Sequence, residues 1–161
     1  MISVKLVQSK KASKGMKELL QGIAKLEKSS TEIGYFDGEQ HKDSGMTLAA
    51  LATLLEYGSN EAHIPARFAF TQIAQTESPK RNKIVRRILK KGISETLRTG
   101  TSDKLLDALG KKYTMSIRAI FGDTNRLLSN ARLTQEIKGR DDPLRDKGEL
   151  LSKLTYRKIK N

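Results

Sequence analysis

The clearest periodic stretch of the sequence is Leu105-Leu106-Asp107-Ala108-Leu109-Gly110-Lys111-Lys112-Tyr113-Thr114-Met115-Ser116-Ile117-Arg118-Ala119-Ile120. Its large apolar side chains recur every three or four residues, which is the spacing of one face of an α-helix. Either Thr101 or Ser102, just before the stretch, is a suitable N-cap. The segment therefore predicts a long amphipathic helix whose apolar face must be covered by other elements.

Four further helices are predicted on its N-terminal side, over residues 13–28, 47–57, 68–76 and 80–97. Ser13 and Thr47 are suitable N-caps, Gly58 suits a left-handed C-cap, and Pro79 suits the first turn of the last of these helices. A weaker helical pattern covers residues 125–139. A short helical turn is predicted near residue 150.

Three segments have the composition of strands. Apolar residues alternate over residues 2–6, β-forming residues fill residues 31–36, and the last ten residues end in a further strand. The prediction is one α+β domain over residues 1–161, with a small antiparallel or mixed sheet made from the N-terminal strands and the C-terminal strand. Several helices pack on that sheet.

The composition narrows the classes of function. Lys and Arg number 31 against 18 acidic residues, giving a net charge of +13 and a preference for polyanionic partners or acidic protein surfaces. The chain has no Cys, which excludes disulfides and thiolate metal sites. No segment has the length and apolarity of a membrane span, and the first residues lack the order of a signal peptide. We expect a soluble protein with no membrane partner.

Residue patterns for catalysis or for a cofactor are missing. His41 and His63 have no metal-ligand spacing, and the sequence contains neither a phosphate-binding loop nor a hydrolase nucleophile elbow. The acidic residues of 37–43 lack the glycine and the distal glutamate of a calcium loop. The pair Asp141-Asp142 precedes Pro143 in a predicted turn, where carboxylates usually stabilise turn geometry. We expect no enzyme, no metal and no cofactor.

The predicted helix over residues 80–97 carries an unusual excess of positive charge. Residues 80–98 hold eight basic side chains and one acid, Glu95. Arg86, Arg87, Lys90 and Lys91 fall mostly opposite the apolar face. This basic face is interpreted in two ways that stay open: a solvated outer surface, or a docking surface for phosphates or for an acidic protein.

Three motif stretches, taken in order, belong together. They are Ile33-Gly34-Tyr35-Phe36-Asp37-Gly38; Leu55-Glu56-Tyr57-Gly58-Ser59 with Ile64-Pro65-Ala66-Arg67-Phe68; and residues 143–156, Pro143-Leu144-Arg145-Asp146-Lys147-Gly148-Glu149-Leu150-Leu151-Ser152-Lys153-Leu154-Thr155-Tyr156. The second is the most specific, because a helix ending in Glu-Tyr-Gly is followed closely by Ile-Pro-Ala-Arg and an aromatic residue. In these stretches the chain resembles the tail-completion and head–tail joining proteins of long-tailed bacteriophages. Lys147 stands where that family would have Thr or Ser, and residues 75–135 carry no family motif.

The resemblance implies a structural virion protein at the neck end of the tail, assembled in the host cytoplasm. Its partners would be copies of itself in a ring, commonly a hexamer, the tail-tube protein, and the head-completion or connector protein. The ring would cap the tail tube or join it to the head. The loop over residues 37–45 and the basic helix are the candidate contact surfaces, with possible DNA contact through that helix. The family-motif residues are Gly34, Tyr35, Phe36, Glu56, Tyr57, Gly58, Ile64, Pro65, Ala66, Arg67, Asp146, Gly148, Leu150, Leu151 and Tyr156.

Elementary stereochemistry gives several motif residues a structural role. Pro65 forces an extended exit from the turn after the second helix. Arg67 is expected to satisfy helix C-terminal carbonyls or to pair with Glu56. Asp146 is expected to cap the turn that leads to Leu150.

One alternative function follows from charge alone. A net charge of +13 also fits a small nucleic-acid-binding protein. The sequence has no recognisable helix-turn-helix or zinc knuckle, and aromatic residues make up only 5% of it, so stacking platforms for single strands are scarce. Binding to DNA of any sequence that weakens with salt would favour this alternative.

Overall fold

A computed structural model describes residues 10–36 and 38–160 of the chain. Within them lie seven helices and a two-stranded antiparallel sheet, which confirms the predicted α+β class. The predicted strand over residues 2–6 lies outside the described residues. The elements are α1 Lys10–Glu27, β1 Ser29–Gly34, α2 Leu48–Tyr57, α3 Ala69–Thr76, α4 Lys83–Thr99, α5 Asp103–Ile120, α6 Arg132–Lys138, α7 Glu149–Lys153 and β2 Thr155–Lys160.

The sheet joins the N-terminal third of the chain to its C-terminus. Strand β1 pairs antiparallel with β2, in a register that places Ile33 opposite Tyr156. The first strand begins and ends two residues before the predicted limits of 31–36. Tyr35 lies beyond the paired segment and donates its hydroxyl hydrogen bond to the carbonyl of Leu150 at 2.8 Å.

Helix α5 is the central element of the fold. It packs on α3, on α4 and on both strands, and its predicted apolar stripe faces these neighbours. Two glycines allow α5 to lie close to α4 and to β2. A Cβ at Gly92 of α4 would lie 2.5 Å from Leu105 Cδ1 of α5, and a Cβ at Gly110 of α5 would overlap the Tyr156 ring of β2. The buried core cluster is formed by Leu48, Ala69, Ile73, Ile117, Ile120, Phe121, Leu127, Leu150 and Leu154.

The start of α4 differs from the prediction. The helix begins at Lys83, and Pro79 lies in the preceding turn instead of in the first helical turn. Asn82 is the N-cap, because its side-chain oxygen accepts the N–H groups of Ile84 at 2.8 Å and Val85 at 3.2 Å. The first N–H groups of a helix have no partner within it, and the Asn82 side chain satisfies two of them. The helix therefore begins after Asn82 and not at Pro79.

Of two other predicted N-caps, one makes a capping hydrogen bond and the other does not. Thr47 caps α2 as predicted, since its hydroxyl accepts the Ala50 N–H at 3.2 Å. Ser102 occupies the N-cap position of α5, but its side chain makes no capping bond. Its hydroxyl instead lies 3.0 Å from that of Ser29 at the start of β1, so a contact between elements replaces the local cap.

Candidate interaction surfaces

The second motif stretch organises the junction between α2 and α3. The Glu56 side chain is buried, and its two carboxylate oxygens accept the backbone N–H groups of Phe70 at 3.0 Å and Thr71 at 2.8 Å. These N–H groups open α3, where a negative charge is favoured by the helix dipole. The expected pairing of Glu56 with Arg67 is therefore wrong, because the carboxylate serves the start of α3.

Gly58 holds the turn that follows α2. Its N–H donates to the Leu54 carbonyl at 2.7 Å, and its φ of 75° confirms the predicted need for glycine, although its ψ of −177° differs from a left-handed helical cap. A Cβ at Gly58 would lie 2.6 Å from both the Ile64 carbonyl oxygen and the Ala66 nitrogen. The chain after Pro65 is thereby fixed closely against the end of α2.

Arg67 is a buried cation with an incomplete set of partners. Its guanidinium donates to Asn130 Oδ1 at 3.1 Å and, at a long 3.5 Å, to the Pro65 carbonyl. Its Nε has no acceptor among the described residues. Burial lowers the pKa of Arg67, and the nearby Asp141 carboxylate opposes that shift. The expectation that its side chain caps α2 is wrong: the backbone N–H of Arg67 makes that bond, to Leu55 at 3.1 Å.

The partners of Arg67 were not identified from the sequence. Asn130 is 7% exposed, and its backbone N–H donates to the Asp141 carboxylate at 2.9 Å. That bond is the main cause of the lowered pKa of Asp141. Asp142 pairs with Arg140 at 2.9 Å within the turn, as predicted, whereas the Asp141 carboxylate ties the turn to Asn130. Asn130 lies 63 positions from Arg67, and no local sequence pattern marks it.

The third motif stretch packs against the first. Leu150 is buried and accepts the hydroxyl hydrogen bond of Tyr35, while Leu151 packs beside the core. Burial raises the pKa of Tyr35 well above its ordinary value of 10.0. The Tyr156 hydroxyl donates to Asp107 at 2.7 Å, which ties β2 to α5. These motif residues hold the fold together.

Asp146 does not perform the role expected for it. The residue at the N-cap position of α7 is Gly148, with φ 81°, and no side chain caps this helix. Asp146 instead lies 4.0 Å from Lys138 Nζ, and its backbone carbonyl accepts a bond from Arg140 at 3.0 Å. The short helix α7 is stabilised by backbone hydrogen bonds within its own segment and by the packing of Leu150 in the core.

A cavity of about 460 Å³ separates the second and third motif stretches. The structure thus brings together residues that are about 80 positions apart in the sequence. Aliphatic side chains and polar or charged ones share the wall, and its two buried polar side chains are Arg67 and Asn130. The lining residues are His41, Leu51, Leu55, Ala62, His63, Ile64, Pro65, Arg67, Asn130, Ala131, Leu133, Thr134, Lys138, Leu144, Arg145, Asp146, Lys147, Gly148, Glu149 and Leu150.

All four cations of the basic face of α4 are exposed, and one of them, Arg86, is also bonded to the preceding turn. Arg86 donates to the carbonyls of Pro79 and Lys80, both at 3.0 Å, and so fixes the turn before the helix. Arg87, Lys90 and Lys91 are exposed. Glu95, the acid of this helix, pairs with Lys104 of α5 at 2.7 Å, and it also lies close enough to Arg98 and Lys91 for both to help lower its pKa.

Two apolar surfaces are carried by different helices. On α1, the side chains of Met16, Leu19, Leu20 and Ile23 are between 39% and 58% exposed. Around α6, the side chains of Leu128, Leu133 and Ile137 are between 60% and 78% exposed. Helix α1 packs on α4 and β1, whereas the α6 region bonds to the segment around residue 145. Clusters of exposed large apolar side chains are typical of interaction sites.

The described part of the predicted contact loop, residues 38–45, is tied to the C-terminal part of the chain. Lys147 pairs with Asp43 at 2.9 Å, and Lys153 pairs with Glu39 at 2.8 Å. His41 lies 3.7 Å from the Glu149 carboxylate. Asp37, the first residue of the predicted contact loop, lies outside the described residues. The loop is exposed yet anchored, which gives its surface a defined shape.

Comparison with known protein families, with characterised proteins and with solved structures finds no match to this chain. Across residues 10–36 and 38–160, no helix combines the length and apolar character that crossing a membrane requires. The same residues contain no group of three or more His, Asp or Glu side chains placed to hold a metal ion.

Proposed function

We propose that this chain is a structural virion protein at the neck end of a bacteriophage tail. Copies of it form a ring, commonly six subunits in proteins of this kind, that ends the tail tube or joins it to the head connector. The proposal rests first on the three motif stretches and their resemblance to tail-completion and head–tail joining proteins. These stretches converge on one core, where they fix the fold and leave the outer surfaces for assembly.

The observation that carries the proposal is the pair of apolar surfaces on α1 and α6. A ring is built when one surface of a subunit binds a different surface of the next, and closure follows from the rotation between them. Two separate apolar surfaces on one subunit are what such a head-to-tail contact requires. The anchored contact loop, of which residues 38–45 are described, and the basic face of α4 remain available for the tail tube and the head connector.

Electron microscopy of an infection with this gene disrupted tests the assignment. We expect overlong tails if the ring ends the tube, or separate filled heads and finished tails if it joins them. Normal infectious particles would refute the neck assignment. Complementation with the wild-type gene controls for effects on neighbouring genes.

The ring contact has its own test in the variants Leu20→Glu and Ile137→Glu. Each places a charge in one apolar surface, so each alone should prevent assembly beyond a monomer. Mixed together, they retain one intact pair of surfaces and should form dimers in sedimentation velocity. Gln75→Glu, on an exposed polar position of α3, is the matched charge control and should assemble like the wild type. A mixture that stays monomeric while the wild type assembles contradicts a head-to-tail contact between these surfaces.

A second candidate function is binding to nucleic acid, favoured by the exposed cations Arg87, Lys90 and Lys91. Changing all three to Gln should lower the dependence of DNA affinity on salt by about three phosphate contacts. The control changes Lys104, Lys111 and Arg132 to Gln, which removes the same charge from cations paired with carboxylates. Equal salt dependence for both triple variants would exclude a DNA site on this face.

A further inference from the structure

The exposed cations of α1 and α4 have no acidic partners, in contrast to most other cations of the chain. In the part of the chain that the structure describes, the ion pairs use cations of α5, α6, the loops and the C-terminal part, and none uses a cation of α1 or α4. A cation without a carboxylate partner keeps its charge available to an external anion. The exposed cations are Lys14, Lys17, Lys25 and, directly after α1, Lys28, with Lys83, Arg87, Lys90, Lys91 and Arg98 on α4.

Helices α1 and α4 pack side by side and run in the same direction. A Cβ at Gly22 would lie 3.2 Å from Leu97 Cδ2, and Lys25 Nζ donates to the Gly100 carbonyl at 2.9 Å. The second contact lies three residues beyond the first on each helix, as parallel axes require. The two helices thus form one layer.

Each helix carries its unpaired cations in a stripe. On α1 they recur, together with Gln21, at intervals of three or four residues, and the same intervals relate the cations of α4 and Ser94. The α1 stripe is centred roughly 100° around the helix from Gly22, and the α4 stripe roughly 120° from the contact with α1, in the opposite sense. In parallel helices that lie side by side, these rotations direct both stripes to one side. We call this side the α1–α4 basic platform.

Acidic side chains do not cancel the charge of the platform. Residues 14–28 and 83–98 contain ten Lys and Arg residues, with Arg86 included, against Glu18, Glu27 and Glu95. Glu95 pairs with a lysine of α5 at 2.7 Å, although two cations of α4 also lie near it. Seven positive charges therefore remain in excess on these two segments.

The surroundings of the cations select the class of polyanion. Gln21 and Ser94 lie between the cations, whereas the exposed apolar side chains of Met16 and Ile23 are turned to the opposite side of α1. Binding to a bilayer surface requires apolar side chains beside the cations, and tight protein contacts centre on large buried anchors. The phosphate backbone of nucleic acid requires cations alone. The stripes, each about 22 Å long, cover about six base pairs of a duplex.

We propose that the α1–α4 basic platform binds the phosphate backbone of double-stranded DNA without reading its sequence. Phosphate contacts orient a protein on the duplex and carry no sequence information. The inference deepens the second candidate function, on which it rests for the α4 half of the site, and it adds the α1 half and the form of the ligand. It goes beyond the neck assignment and does not depend on ring formation.

The test measures the fluorescence anisotropy of a labelled duplex of about 30 base pairs with the purified full chain, between about 50 and 200 mM salt. The α1 variant leaves Lys25, which holds the Gly100 carbonyl, and changes to Gln the exposed residues Lys14, Lys17 and Lys28. We expect the slope of log Kd against log salt to fall by about 2.7, at about 0.9 for each lost phosphate contact. The matched control removes the same charge from cations paired with carboxylates, by changing to Gln Lys111, Arg132 and Lys147. Equal slopes for the two triple variants would overturn the platform.

Two further measurements test the ligand. Two duplexes of unrelated sequence should bind with the same Kd, and a tenfold difference between them would overturn recognition of the backbone alone. Vesicles of phosphatidylcholine and phosphatidylserine should not co-sediment with the chain at the salt concentration where the duplex binds. Capture by these vesicles without binding of the duplex would overturn the choice of DNA over a membrane surface.

The proposals fail in different ways. A lowered slope in the triple variant of Arg87, Lys90 and Lys91, with an unchanged slope in the α1 variant, would confine the DNA site to α4 and refute the platform. Duplex binding through both helices, combined with normal particles from the disrupted gene, would refute the neck assignment and leave the platform standing. A neck defect without duplex binding would refute the platform and the second candidate function together.

Discussion

Replacing Gly58 with Ala should destabilise the protein far more than the same change at another glycine of positive φ. At Gly58 the φ of 75° and ψ of −177° lie in a region that glycine alone occupies readily, and forcing another residue there costs about 1–3 kcal/mol. The new Cβ would also lie 2.6 Å from two backbone atoms of the segment 64–66. Backbone cannot rotate away as a long side chain can, so the loop must move.

Movement of that loop accounts for the rest of the expected loss in the free energy of unfolding. Ser59 and Ile64 exchange two backbone hydrogen bonds of 2.9 Å, each worth about 1 kcal/mol. Strain and lost bonds together give a loss of about 4 kcal/mol in the free energy of unfolding. For a chain of 161 residues this corresponds to a fall in Tm of about 8–16 °C.

Gly139→Ala is the matched control. Gly139 also has positive φ, at 69°, but a Cβ there would meet no atom within 4 Å. Only the cost of the left-handed conformation remains, about 1 kcal/mol, or about 2–4 °C in Tm. Thermal unfolding followed by circular dichroism measures both variants. Equal Tm values for the two would refute the argument that Gly58 is required by the closeness of the loop.

Three further predictions concern the framework of the fold. Glu56→Gln should lower the free energy of unfolding by about 2–3 kcal/mol in urea denaturation, because an amide cannot accept both N–H groups at the start of α3; an unchanged midpoint would contradict this. Asn82→Ala should cost about 1 kcal/mol by loss of the α4 cap, whereas Asn125→Ala, at an exposed loop position, should cost nothing measurable. Burial raises the pKa of Tyr35 in the folded state, so its contribution to stability is fully present below pH 10 and is lost as pH rises further. The Tm of Tyr35→Phe should therefore fall less steeply above pH 10 than the Tm of the wild type. Parallel plots of Tm against pH for the two proteins would show that the ionisation of this hydroxyl is not coupled to unfolding.

Several features were predictable because they depend on spacing along one segment. The stripe of α5 follows from apolar residues at helical intervals, and the cap at Thr47 follows from a hydroxyl directly before an apolar helix. The need for glycine at position 58 and the strand at the C-terminus were also predicted. The atoms that cap α2 and those that crowd Gly58 lie within about ten residues of each other, and the helical and strand patterns are properties of one segment, although the elements that α5 and β2 pack against are distant in the sequence.

The candidate site depends instead on contacts between distant segments. Glu56 serves α3, 14 positions away, and Arg67 meets Asn130, 63 positions away. Neither pairing is predictable from the sequence. Tertiary packing determines which complementary group lies next to a buried charge, and the spacing of residues along the chain does not indicate it. Asp146, which is suited by type to cap a helix, lies outside the N-cap position of α7.

The sequence by itself determined the α+β class, the amphipathic helices and the excess of positive charge, because these are properties of composition and local periodicity. Tertiary structure alone decided which apolar and charged faces remain exposed. The apolar face of α1 has the same periodicity as that of α5, yet among the described residues α5 lies between helices and strands while α1 packs mainly on α4 and β1. A periodic pattern predicts that a helix has an apolar face to be buried. Only the arrangement of the other elements determines whether that face is buried by the same chain or by another molecule.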